Sequence, residues 1–213
     1  MVLVPGQTPA PGLDAVQLYA KMEKKLQDSG YTVYKVNVPG LDLVAESERI
    51  KETVQRVTAC IDVESVAVVA HSYGGLSARR YLKLLGGTDV VDSYIAIGTP
   101  QYGSPGGCVQ LPGLGFDGCV FTPFMSELNA GDDTPGSTEY YSIRGAEETA
   151  DGRLDGGQCR FTSIPNVNHI LEPEDDRVTV AVEAALQGKC EGRFVDDPDN
   201  AFTWQQTIFP GPN

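Results

Sequence analysis

The chain has 213 residues, 41% hydrophobic and 21% charged, enough for one core and ordinary for a globular protein. Acidic residues outnumber lysine and arginine 29 to 16, giving a formal charge of -13, which argues against nucleic acid or an anionic membrane surface as a partner, since both call for a basic patch. No run of about 18 apolar residues is present to cross a bilayer, and the N-terminal stretch MVLVPGQTPAPG lacks the basic and long apolar regions of a signal peptide.

The predicted elements alternate between strand and helix. Residues 2–5 read as a short apolar strand that starts with the chain, so a leader is expected to have preceded it. Over residues 13–29, Leu13, Val16, Leu18, Met22 and Leu26 recur near helical spacing, and Gly30 stops the helix. The β-branched and aromatic stretch YTVYKVNV, residues 31–38, is a strand. Residues 43–60 form a helix with Ile50, Val54 and Val57 on one face. A fully buried strand over 65–71 leads into a helix over 73–85, which closes at Gly86 and Gly87. Another strand covers 90–97. Residues 99–136 then hold most of the Gly and Pro, broken by one short helix at 123–129. Strands at 140–144 and 160–164 and a helix at 174–187 complete a domain over 1–190. The remainder, 191–213, is rich in Asp, Pro and Asn and is expected to be a loosely held tail.

This alternation implies an α/β fold: a doubly wound, mostly parallel sheet of about six strands with helices on both faces. Sites in such sheets form beyond the carboxyl ends of the strands. Gln7, Ser72, Thr99, Glu148 and His169 all lie just past such ends.

Ser72 sits between a buried strand and an amphipathic helix, in Ala70-x-Ser72-x-Gly74, a variant of G-x-S-x-G. The small residues two before and two after permit a sharp turn that pushes the hydroxyl out, while the following helix aims its amide dipoles at the same place. A serine hydroxyl needs a base. The chain has two histidines. His71 belongs to the turn and is expected to point away from Ser72 and pack beneath it. His169, in a loop between the last strand and the last helix, is therefore the candidate base. An acid to orient it should follow the strand at 140–144, where Glu147, Glu148, Asp151 and Asp155 are available; Glu148 is favoured, with Asp151 second. The oxyanion needs two backbone amides, expected at Tyr73, after the nucleophile, and at Gln7, after Gly6. No metal or cofactor is implied.

None of the five cysteines forms a CxxC pair, so a zinc site is not expected. Pairing Cys108 with Cys119 and Cys159 with Cys190 would leave Cys60 as a buried thiol, and such bridges point to an oxidising, extracellular compartment. Between Cys108 and Met125 lies an apolar loop with Leu111, Leu114, Phe116 and Phe121. Two readings are open for it, a cap over the core or a rim for an acyl chain.

The stretches VLVPGQ, VAVVAHSYGGLSARRYLK, IAIGTPQYGS, LNAGDDTPG, YYSIRGAEE and NVNHILEP together resemble the α/β-hydrolases. More narrowly, they are similar to the minimal secreted bacterial lipases, including the actinomycete triacylglycerol lipases of lipase class 2. The resemblance implies Ser72 as nucleophile, His169 as base, oxyanion amides at Gln7 and Tyr73, and, counting from SIRG, Glu148 where the family carries Asp. The chain departs from the family at Pro5, where a histidine is usual, and at Gln101 and Tyr102, where a histidine usually follows GTP. The implied protein is a secreted, monomeric hydrolase of acyl esters. Acyl transfer or thioester hydrolysis on the same residues, and a non-catalytic binding protein of this fold, are the alternatives.

Overall fold

The computed structural model describes residues 1–7, 15–149 and 151–205, with the side chains of 15 and 16 left aside. Leu13 and the end of the tail lie outside the described residues, and so does the side chain of Val16. In chain order the elements are β1 (Val2–Val4), a 3-10 turn (Ala15–Tyr19), α1 (Ala20–Asp28), β2 (Tyr34–Lys35), α2 (Leu43–Ile61), β3 (Val66–His71), α3 (Tyr73–Leu84), β4 (Val91–Ile97), α4 (Pro123–Leu128), β5 (Glu139–Ile143), β6 (Gly156–Phe161), a 3-10 turn (His169–Glu174), α5 (Asp176–Leu186) and β7 (Gly192–Asp197).

The strands form one seven-stranded sheet in the order β2-β1-β3-β4-β5-β6-β7, parallel throughout except for β7, which runs antiparallel to β6. Side chains alternate across a strand, so a sheet covered on both faces needs apolar residues at both parities. Val2, Val4, Val68 and Ala70 pack on one face with Ile50, Val54 and Val57 of α2 and Ala78, Tyr81 and Leu82 of α3. Leu3, Val69, Ile95 and Ile97 pack on the other with Met22 and Leu26 of α1 and Val178, Val182 and Ala185 of α5. The fold is thus the doubly wound α/β sheet that the alternation implied.

Four details differ from the expectation. Only Tyr34–Lys35 of the stretch 31–38 pairs as strand, because its one partner, β1, has three residues to offer. β6 begins at Gly156, ahead of the apolar run that marked it, in register with β5 through Tyr141 and Cys159. Residues 192–197, expected in a loose tail, add β7 along the whole of β6. The physical reason is covalent: both expected disulfides form, and Cys159–Cys190 anchors the chain beside β6 just before β7 starts, so pairing closes only a short loop. Finally, Cys60 is exposed rather than buried, because the last turn of α2 past Val57 runs beyond the core, with Ala59 and Ile61 exposed beside it.

Candidate active site

β3 lies inside the sheet, with its end paired to β1 through Val4 and Ala70 and to β4 through His71 and Ile97. The segments leaving all three strands therefore meet at Ser72. This serine holds φ 53° and ψ -131°, a positive-φ conformation costly for a residue with a Cβ. Its surroundings enforce it. The Ser72 amide donates to the Ile97 carbonyl at 2.9 Å. A Cβ on Gly6 would come within 2.6 Å of Ser72 Cβ, and one on Gly74 would run into the Pro5 carbonyl, so both positions have room only for hydrogen.

The Ser72 hydroxyl donates to His169 Nε2 at 2.9 Å. On the other side of the ring, Nδ1 donates to Glu148 Oε2, a charge-assisted contact with a carboxylate that is almost fully buried. The structure thus brings together a hydroxyl, an imidazole and a carboxylate from three loops, the first and last of them 97 residues apart. The other three acids are engaged elsewhere. Asp151 takes the Arg153 guanidinium through both oxygens, at 2.8 and 2.6 Å, Asp155 accepts from the Phe202 amide at 2.9 Å, and Glu147 accepts from the Asn166 amide at 3.1 Å.

A second carboxylate, not singled out in the sequence, stands behind the ring. Glu172 follows His169 by three residues on the same 3-10 turn and is fully buried. Its Oε1 accepts from the Gly145 amide at 2.6 Å. Its Oε2 lies 3.4 Å from both His169 Nδ1 and His71 Nε2, near enough for charge attraction but aligned for no hydrogen bond. His71 is a support for His169 rather than a bystander. Its Nε2 is 3.0 Å from the His169 carbonyl, an acceptor only, so that nitrogen carries the proton. The rings are 4.8 Å apart. Burial works against a charged His169 ring, but Glu148 and Glu172 outweigh it and raise its pKa from 6.5 to about 9. Burial likewise pushes Glu172 up, but the two imidazoles and the Gly145 amide prevail and hold its carboxyl at about 2.

His71, His169 and Glu172 are also the one group among the described residues with metal-ligand atoms clustered within 4.8 Å. Their donors and acceptors are already turned on one another and on the backbone, which fits a hydrogen-bonded buttress better than a cation cage.

Two clefts flank Ser72. One, of about 260 Å³, lies between Tyr73, Pro100, Ser104, Thr149 and His169; the other, of about 30 Å³, is bounded by Gly6, Gln7, Tyr19 and Ile170. Gln7 and Tyr73, the expected oxyanion residues, each line one of these clefts next to Ser72. The loop carrying Gln7 is held by a reciprocal amide pair, Gln7 Nε2 to Gln110 Oε1 at 2.9 Å and Gln110 Nε2 to Gln7 Oε1 at 3.1 Å. Leu111, Leu114, Phe116 and Phe121 line neither cleft. Leu111, Leu114 and Phe121 face solvent, and Phe121 meets Trp204 edge to face.

The stretch LNAGDDTPG finds its purpose below the site. Arg79 of α3 is fully buried and donates to the Gln101 carbonyl at 2.7 Å, to Asn129 Oδ1 at 2.9 Å, to the Leu128 carbonyl at 3.2 Å and to Asp133. Asp133 also accepts from Lys83 at 2.9 Å and from the Tyr102 hydroxyl at 2.8 Å. One ion cluster thus ties the loops after β4 and α4 to the helix that follows Ser72.

No family model matches the chain. Solved structures do resemble it. The mature lipase BlEst2 of Bacillus licheniformis is 15% identical and superposes with a TM-score of 0.71 over 87% of this chain and 90% of that one. Lipase B of Aspergillus fumigatus is 23% identical, with a TM-score of 0.60 over 77% and 43% of the two chains. A cutinase-like protein from Cryptococcus sp. is 16% identical, with a TM-score of 0.53 over 90% and 94%. These likenesses establish the α/β-hydrolase fold.

Proposed function

We propose that the protein is a serine ester hydrolase of the lipase or esterase kind. The observation that carries this reading is the unbroken chain from Ser72 Oγ through both nitrogens of His169 to Glu148. The folds it resembles include lipases and a cutinase-like protein, which agrees with ester chemistry.

In this mechanism Ser72 Oγ attacks the ester carbonyl as His169 Nε2 takes its proton. The tetrahedral oxyanion rests on the amides of Gln7 and Tyr73, pre-aimed by the turn after β1 and by the start of α3. Glu148 keeps the Nδ1 proton in place, so that Nε2 is the free base, and stabilises the imidazolium that forms. Glu172 adds a second negative charge to the same ring and holds the loop after β5 through Gly145. His169 then returns the proton to the departing alcohol, and water, activated by the same nitrogen, releases the acid from Ser72. The 260 Å³ cleft suits a short acyl or alcohol group. The solvent-facing Leu111, Leu114 and Phe121 suit contact with esters presented on an aggregated surface. The two disulfides suit a secreted protein; no helix among the described residues is long and apolar enough to cross a membrane.

A fluorophosphonate probe tests the reading. The wild-type chain should label at Ser72, and Ser72→Ala should not. Turnover of p-nitrophenyl esters should fall with lengthening acyl chain. Absence of labelling in the folded wild-type chain overturns the proposal and leaves a binding protein.

A further inference from the structure

We propose that a second cleft, at the β5–β6–β7 edge, binds an amphiphilic oxyanion: an organic carboxylate or phosphate with an apolar tail. The chain has nine arginines, and four of them, Arg144, Arg153, Arg160 and Arg193, line this one cavity of about 710 Å³. Two are neutralised from within, Arg153 by Asp151 and Arg160 by Asp197 at 2.5 Å. The other two are not. Among the described residues Arg193 has no carboxylate partner, and Arg144 donates only to the carbonyls of Gly145 and Glu148, at 3.5 and 2.5 Å. The register sharpens the point: Arg160 and Arg193 stand directly opposite each other across β6 and β7, on one face of the sheet. Asp197 already takes the charge of Arg160, which leaves Arg193, directly opposite, as the guanidinium of this pair without a carboxylate among the described residues. That two guanidiniums without a carboxylate partner among the described residues line one cavity in a chain of charge -13 is unexplained by solubility.

Guanidinium groups grip carboxylate and phosphate in two-point fashion. Beside them the cleft offers Phe161 and Phe202, whose rings supply an apolar wall. The Phe202 ring already has the Arg153 and Arg160 guanidiniums at 4.4 and 5.2 Å from its centre. A headgroup on Arg144 and Arg193 with a tail toward these rings uses both halves of the cavity, and its size falls in the usual range for small-ligand sites, roughly 300–1,000 Å³. The site borders the loop that bears Glu148 but needs nothing from Ser72.

Calorimetric titration of octyl phosphate into the full chain tests this, with inorganic phosphate and octanol as the partial probes. One saturable site per chain is expected for octyl phosphate. Arg193→Gln, on an exposed edge strand, should weaken it at least about tenfold while leaving p-nitrophenyl ester turnover and the melting temperature unchanged. Arg193→Lys, which keeps the charge and loses the fork, should fall between. Both partial probes should bind at least about tenfold more weakly than octyl phosphate. Equal affinity in wild type and Arg193→Gln overturns the proposal, as does octanol binding as tightly as octyl phosphate. Inorganic phosphate binding equally tightly overturns the amphiphile.

Discussion

Replacing Glu148 by Gln probes the relation between the two carboxylates that face His169. The amide keeps the size of the side chain but can turn its NH₂ toward Nδ1. That reverses the ring's tautomer, puts the proton on Nε2, and leaves Ser72 facing a donor instead of a base. In a site with a single carboxylate, such a change costs about 10⁴ in turnover. Here Glu172 Oε2 lies 3.4 Å from the same Nδ1 and has no hydrogen-bond donor of its own, so a small rotation of the ring recovers part of the interaction. The expected loss for Glu148→Gln is therefore about 10²–10³-fold in kcat, or roughly 3–4 kcal/mol. Glu172→Gln, which leaves the aligned contact in place, should cost about tenfold. The double variant should reach the full loss of about 10⁴. Steady-state hydrolysis of p-nitrophenyl butyrate measures all three, and circular dichroism checks that each folds. Each single variant also removes a negative charge beside the ring, so the acidic limb of its pH–rate profile should move down from about 9. A Glu148→Gln enzyme within threefold of wild type, or a double variant no worse than the single, would refute the scheme.

Four further outcomes are expected. Because the base must be neutral to act, kcat/KM of the wild-type chain should climb with pH until about 9. His169 has a folded pKa above its ordinary 6.5, so its contribution to stability is complete below 6.5 and is lost as pH rises through about 9. Glu172 has one below its ordinary 4.5, so its contribution is complete above 4.5 and is lost as pH falls toward about 2; melting temperature against pH should show a plateau between. Asp133→Ala strands the buried Arg79 and should cost about 3–5 kcal/mol in urea unfolding, at the upper end because Lys83 and Tyr102 lose the same partner. Gly74→Ala drives a methyl into the Pro5 carbonyl and should abolish turnover or folding, whereas Gly106→Ala, whose nearest neighbour would be Ser104 Oγ at 3.4 Å, should stay within about 0.5 kcal/mol of wild type by thermal melting.

What the sequence by itself determined is what short-range sterics govern. The turn at Ser72 was legible because Ala70 and Gly74 are small for a local reason, and the alternation of apolar strands with amphipathic helices dictates a covered parallel sheet wherever it occurs. With two histidines in the chain, the base reduced to a choice between a residue inside the turn and one outside it. Tertiary structure decided everything that depends on where one loop lies against another. Four acids, Glu147, Glu148, Asp151 and Asp155, follow β5 before β6 begins, four more sit in the run EPEDD, and composition treats all of them as solvated loop. Glu148 reaches His169, Asp151 goes to Arg153, and Glu172 alone among the EPEDD acids turns inward, because a 3-10 turn sets it on the same side as His169, three residues on. Likewise, nothing local distinguished β7 from a tail until Cys190 was tied to Cys159, or set Arg193 opposite Arg160. A side chain's nearest neighbours along the chain follow from bond geometry, whereas its partners across a hundred residues follow from how both faces of the sheet pack.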